Sequence, residues 1–132
     1  MSGNNARLLL VDDDPSLLRL MTLRLEGEGY RVISADCAET ALTLLGKNPV
    51  DVVLTDIRMA RMSGVEFLRR LKTLYPEVIR MVLSGSSEVG TILKAVNEGV
   101  IYRFITKPWT VDDLREQVRG AFKQRELQQD NQ

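Results

Sequence analysis

At 132 residues the chain has the length of one domain, and its 44% apolar content supports a core without disulfides or metal. Eighteen Lys and Arg balance eighteen Asp and Glu, and this zero net charge argues against a protein built to grip nucleic acid or an anionic membrane. The absence of histidine removes histidine-based acid/base, nucleophile and metal chemistry, while a lone Cys37 gives neither an internal disulfide nor a zinc cluster and suits a reducing cytoplasm.

In chain order, residues 1–6 are small and polar, lack the apolar core of a signal peptide and read as a disordered leader. Leu8–Val11 is the longest apolar run, far short of the roughly 20 residues that span a bilayer. It reads as a strand, as do Arg31–Ser34, Asp51–Thr55, Ile79–Leu83 and Arg103–Ile105. Leu8–Val11, Val52–Leu54 and Met81–Leu83 are apolar on both sides, as in central strands of a parallel sheet. Helical stripes alternate with these runs: Leu17, Leu18, Met21 and Leu25; the short helix Ala38–Leu45; Val65, Leu68 and Leu71; Val89, Ile92 and Val96; and Val111, Leu114, Val118 and Phe122.

The punctuation agrees. Asp14-Pro15 pairs a capping carboxylate with proline at the first helical position, and Ser63–Glu66 and Thr110–Asp113 read as capping boxes. Gly29, Gly46 and Gly99 stand where a left-handed residue ends a helix. Cys37 and Trp109 read as structural, at a helix start and a loop-packing position. Five β-α units predict a right-handed, doubly wound α/β domain.

In such a sheet, ligands bind beyond the carboxyl ends of the strands. The residues there are Asp12, Asp13 and Asp14 after the first strand, Asp56 after the third, Ser84 after the fourth and Lys107-Pro108 after the fifth. Two carboxylates about 4 Å apart repel by about 4 kcal/mol at an effective dielectric of about 20. A retained proton or a divalent cation relieves this, and an all-oxygen donor set favours Mg²⁺ (or Mn²⁺) over zinc. A cation flanked by a carboxylate, a lysine and a hydroxyl suits a phosphoryl group, with the remaining carboxylate as nucleophile.

Four segments carry a resemblance: Leu8-Leu-Leu-Val-Asp-Asp-Asp14; Val53-Leu-Thr-Asp-Ile-Arg-Met59 followed by Gly64; Met81-Val-Leu-Ser-Gly85; and Phe104-Ile-Thr-Lys-Pro108. In this order and spacing the chain resembles the receiver domain of two-component response regulators, including the chemotaxis regulators, from about residue 7 to 122. The resemblance implies a flavodoxin-like (βα)5 fold with a parallel sheet in the order 2-1-3-4-5. It implies that Asp56 is the phosphoacceptor, supplied by the phosphohistidine of a sensor kinase or phosphotransfer protein. Asp12, Asp13, Asp56 and the Arg58 backbone carbonyl would hold Mg²⁺, and Lys107 and Ser84 would contact the phosphoryl group. Ser84 and Phe104 would switch the surface around the fourth helix and fifth strand, and Pro108 would follow a cis peptide bond that aims Lys107. Such a domain is a phosphoprotein that assists its own phosphorylation and dephosphorylation and is not otherwise an enzyme.

Ala60 departs from the proline usual after the methionine and is expected to loosen the loop to Gly64. Phe104 replaces a frequent tyrosine. Arg58 and Ser86 occupy positions that affect phosphoryl lifetime in the family.

The stretch Asp12-Asp-Asp14 also resembles, over a few residues, the Asp-x-Asp motif of haloacid-dehalogenase-type phosphohydrolases. That reading makes Asp12 the nucleophile and Asp14 the acid/base, assisted by Lys107 and the Asp112-Asp113 pair, and leaves Asp56 without a role. A non-phosphorylated docking receiver is a third reading. An FMN-binding domain is disfavoured by three acids where a phosphate cradle is needed.

A final helix over 111–127 would run about 25 Å. Residues 123–132 read as its end and a polar tail, leading to an effector domain or closing a free-standing receiver. The segment Ile101–Trp109 is similar to receivers joined to cyclic-dinucleotide phosphohydrolase or ATPase-type transcription modules. A phosphorylation-dependent homodimer through the fourth-helix face is a further expectation. Neither direct nucleic-acid binding nor a membrane is expected of this domain.

Overall fold

A computed structural model describes residues 6–130. Strands β1 (Arg7–Val11), β2 (Arg31–Ala35), β3 (Val52–Asp56), β4 (Ile79–Ser84) and β5 (Arg103–Thr106) alternate with helices α1 (Pro15–Glu26), α2 (Ala38–Leu45), α3 (Gly64–Leu74), α4 (Val89–Asn97) and α5 (Val111–Asp130). The strands form one parallel sheet in the order β2-β1-β3-β4-β5, as the resemblance implies.

Period-two alternation divides the central strands between two cores. Leu9, Val11, Val53 and Val82 pack with Ala41 of α2, Phe67, Leu68 and Leu71 of α3, and Ile92 and Ala95 of α4. Leu8, Leu10, Leu54, Met81 and Leu83 pack on the other face with Met21 and Leu25 of α1 and Leu114 and Val118 of α5. The two-sided apolar runs are thus central strands covered on both faces. Among the described residues, no helix is long and apolar enough to cross a membrane.

Most local signals act as read. Asp14 accepts from the Ser16 and Leu17 N–H groups, and Thr110 and Asp113 cap each other reciprocally, whereas the Ser63–Glu66 box forms only its Ser63 half, with Ser63 Oγ accepting from Glu66 N–H. Cys37 is the N-cap of α2, and Trp109 is half-buried against the α1–α5 core.

Four local expectations are corrected. Gly46 is right-handed (φ −65°), because the Asn48 backbone and side-chain N–H groups already cover the Leu44 carbonyl. Gly29 is left-handed (φ 98°) but lies beyond the right-handed cap Gly27. Val89 is exposed, and Ala95 takes the core position beside Ile92. The leader reading of residue 6 fails because Ala6 is buried and its carbonyl accepts from Arg31 N–H at 2.9 Å. Residues 1–5 lie outside the described residues.

Candidate functional site

The carboxyl ends of β1, β3, β4 and β5 bring the predicted residues to one edge of the sheet. Asp12 follows β1 directly, and its N–H is fixed by the Ala35 carbonyl at 3.2 Å. Its side chain is 2% exposed. Oδ1 accepts from Asp14 N–H at 2.9 Å, whereas the buried Oδ2 has no hydrogen-bond partner among the described residues. Asp13 is exposed and Asp56, at the end of β3, is half-buried. One carboxylate oxygen from each of Asp12, Asp13 and Asp56 lies within 4.8 Å of the others.

This crowding moves the titrations. Burial raises the Asp12 carboxyl above its ordinary value, with Asp13 adding to the effect while the Asp14 N–H and Lys107 oppose it. Burial, then the Asp12 charge, pushes Asp56 up to about 6 against the pull of Lys107. A buried carboxylate oxygen without a donor, beside two further carboxylates, is an environment that a hard cation satisfies. The residues fit Mg²⁺ or Mn²⁺ on this ground.

Ser84 is fully buried at the end of β4, and its Oγ has no hydrogen-bond partner among the described residues. Lys107 N–H donates to the Ser84 carbonyl at 2.9 Å, tying β5 to β4 as its exposed side chain brings positive charge to the two raised carboxyls. The Lys107–Pro108 bond is cis, as the resemblance implies. Phe104 pairs with Val82 and Thr106 with Ser84, so Phe104 and Ser84 share a face two residues apart, with Phe104 half-buried against the α2–α4 core.

The loop after β3 is held closely. Thr55 Oγ1 donates to the Asp56 carbonyl, Ile57 N–H to Leu83, and Gly64 N–H to Ile57. A Cβ on Gly64 would stand 2.2 Å from the Asp56 carbonyl oxygen, so only glycine lets α3 start against the end of β3. Ala60 accepts from Met62 N–H at 2.8 Å around Arg61 (φ 70°), a γ-turn that buries Met62.

Sequence reasoning singled out Arg58 but missed Glu88 and the pairing of the two. Arg58 Nε donates to Glu88 Oε2 at 2.8 Å, and Gly85 N–H donates to Glu88 Oε1 at 3.1 Å. Ser87, with Arg58 and Gly85 N–H, holds the Glu88 carboxyl below the usual carboxylate range. Ser86–Glu88 forms a short 3-10 helix. Thirty positions separate the two ion-pair partners, so no local motif announces them.

Of the residues in the phosphohydrolase reading, Asp12 and Lys107 share the site, but its acid/base Asp14 and the Asp112-Asp113 pair are engaged in other roles. Asp14 caps α1, Asp113 caps α5, and Asp112 pairs with Arg115 on the exposed side of that helix.

Comparisons with known proteins agree with this geometry. The family described as Response regulator receiver domain matches residues 8–119. The hydrogenase transcriptional regulatory protein HoxA of Cupriavidus necator is 39% identical over 130 residues, covering 98% of this chain and 27% of its own length. The transcriptional regulatory protein GlrR of Escherichia coli is 36% identical over 124 residues, covering 94% of this chain and 28% of its own length. The chain therefore spans about a quarter of these curated relatives. The crystal structure of the signal receiver domain of an HD domain-containing protein from Pseudomonas fluorescens superimposes with a TM-score of 0.90 at 30% identity, covering 100% of this chain and 97% of that one. With its parallel sheet, its convergent acids and a family match over most of its length, the chain belongs to the response regulator receiver domain family.

Proposed function

We propose that this chain is a phosphorylation-controlled switch in which Asp56 accepts a phosphoryl group from the phosphohistidine of a sensor kinase or phosphotransfer protein. The observation that carries the reading is the meeting of Asp12, Asp13 and Asp56 within 4.8 Å, beside a buried Asp12 Oδ2 and a buried Ser84 Oγ that both lack partners. An Asp56 oxygen attacks phosphorus, the phosphorus–nitrogen bond to the donor imidazole breaks, and its electron pair stays on that nitrogen. A carboxyl titrating at about 6 is largely ionised at neutral pH and remains more basic than an ordinary aspartate.

Asp12, Asp13, Asp56 and the Arg58 carbonyl are the residues that would hold Mg²⁺, which when bound neutralises phosphoryl oxygens. Lys107 adds a charge-assisted contact to those oxygens. Ser84 gains an acceptor for its unpartnered hydroxyl, and Phe104, two residues back on the same face, transmits its movement to the α4–β5 surface. A switch from 1:99 to 99:1 needs about 5.5 kcal/mol, a scale that several charge-assisted contacts reach. The output is an effector that the relatives, as longer transcriptional regulators, carry in the same chain. In this reading the switch occupies residues 7–122 of a cytoplasmic protein, and its α4 face pairs two phosphorylated copies.

Labelling by a small phosphodonor with Mg²⁺ tests the assignment. Asp56→Asn abolishes the covalent label and Asp14→Asn retains it. A label that survives in Asp56→Asn but disappears in Asp12→Asn would establish the phosphohydrolase reading instead.

A further inference from the structure

We propose that Glu88 is a positioning residue, a latch between the loop after β3 and the loop after β4 that sets how readily Ser84 engages a phosphoryl group on Asp56. The proposal rests on Asp56 being the acceptor.

One carboxylate makes both connections. Glu88 Oε1 accepts from the N–H of Gly85, the residue next to Ser84, at 3.1 Å. Glu88 Oε2 accepts from Arg58 Nε at 2.8 Å and lies 2.6 Å from Arg58 Nη2, and Arg58 is two residues beyond Asp56. The Ser87 hydroxyl donates to the same Oε2 and accepts from Arg58 Nη2 at 3.1 Å. The Glu88 side chain is 13% exposed although Arg58 is 74% exposed, so the carboxylate sits within the turn and the arginine closes over it.

In this arrangement Ser84 Oγ is buried and has no hydrogen-bond partner among the described residues. A phosphoryl oxygen on Asp56 offers the missing acceptor, and reaching it carries Ser84 and the adjoining Gly85 N–H toward β3. That N–H donates to Glu88 Oε1, and Arg58 and Ser87 hold Glu88 in place, so the shift requires the Gly85–Glu88 hydrogen bond to break or reorient and works against the latch. Latch closure and phosphoryl engagement are therefore opposed, and by linkage each weakens the other by the same factor.

Beryllofluoride at fixed Mg²⁺, titrated by calorimetry, measures this opposition. Glu88→Gln keeps an acceptor for Gly85 N–H but loses its charge toward Arg58. It binds beryllofluoride about two- to fivefold more tightly than wild type, the range available from an exposed ion pair. Arg58→Ala gives a similar gain, and the double variant gains no more than either single one. A purely structural role would lower affinity or leave it unchanged. Unchanged or weaker binding by Glu88→Gln, or gains that multiply in the double variant, would overturn the latch. Wild-type protein that binds no beryllofluoride, or Asp56→Asn that binds as well as wild type, overturns the acceptor reading and the latch with it. Binding lost in Asp56→Asn but unaltered in Glu88→Gln removes the latch alone.

Discussion

Asp56 shows how one side chain can be held at a cost to stability for the sake of chemistry. Folding raises its carboxyl to about 6 from an ordinary 3.8, so between these values the folded chain keeps a proton that the unfolded chain has released. Stability from this group is fully present below about pH 4 and is lost as pH rises through about 6. With a chelator present, Asp56→Asn therefore raises stability at pH 7 by about 1 kcal/mol, a figure already reduced for partial solvent screening, and the gain fades toward pH 4. Urea midpoints at the two pH values measure it, and an equal gain at both would contradict it. At this scale the acids, Ser84 and Lys107 were legible because strand ends and residue types sufficed to place them. Arg61, with its positive φ, was not, because an arginine carries no signal for that conformation.

Among the elements, the strands were the most legible, since two-sided apolar runs have few other homes in a chain of this size. The helical stripe of α4 misled at Val89, which fits the period but is the exposed first residue of the helix. The small Ala95 went unremarked, although it lets that helix lie close. The edge pair β1–β2 carries a different tension. Arg7 and Arg31 stand opposite each other in parallel register, and Lys47 lines the same cleft. The nearby Asp51 accepts from the Arg7 backbone N–H and lies 3.7 Å from Arg125. Opposed like charges are destabilising, so Arg31→Glu raises stability by about 0.5 kcal/mol. The gain shrinks at high salt and is read as a shift in the urea midpoint; a salt-independent change would assign it to something other than the charge pair.

For the whole molecule, the sheet order places every site residue on four adjacent strands and leaves β2 outside as an edge. A cation that binds only this assembled edge stabilises the entire domain by mass action. At a hundredfold excess over its dissociation constant, Mg²⁺ adds about 2.7 kcal/mol. That raises Tm by about 10 °C for a chain of this size. Asp13→Asn abolishes most of the shift, and an equal shift in that variant would place the cation elsewhere. The strand order itself was legible only through family resemblance, because parallel crossovers leave no mark in local sequence.

That order also has a consequence in time. Asp12 leaves the ribosome 95 residues before Lys107. At ordinary translation speeds this is a wait of roughly 5–20 s. For most of it, once Ala35 has followed, β1 can pair with β2, but the charge that completes the pocket has not been made. A nascent chain therefore displays its acids without being able to receive the signal, and competence arrives only once the last strand has docked.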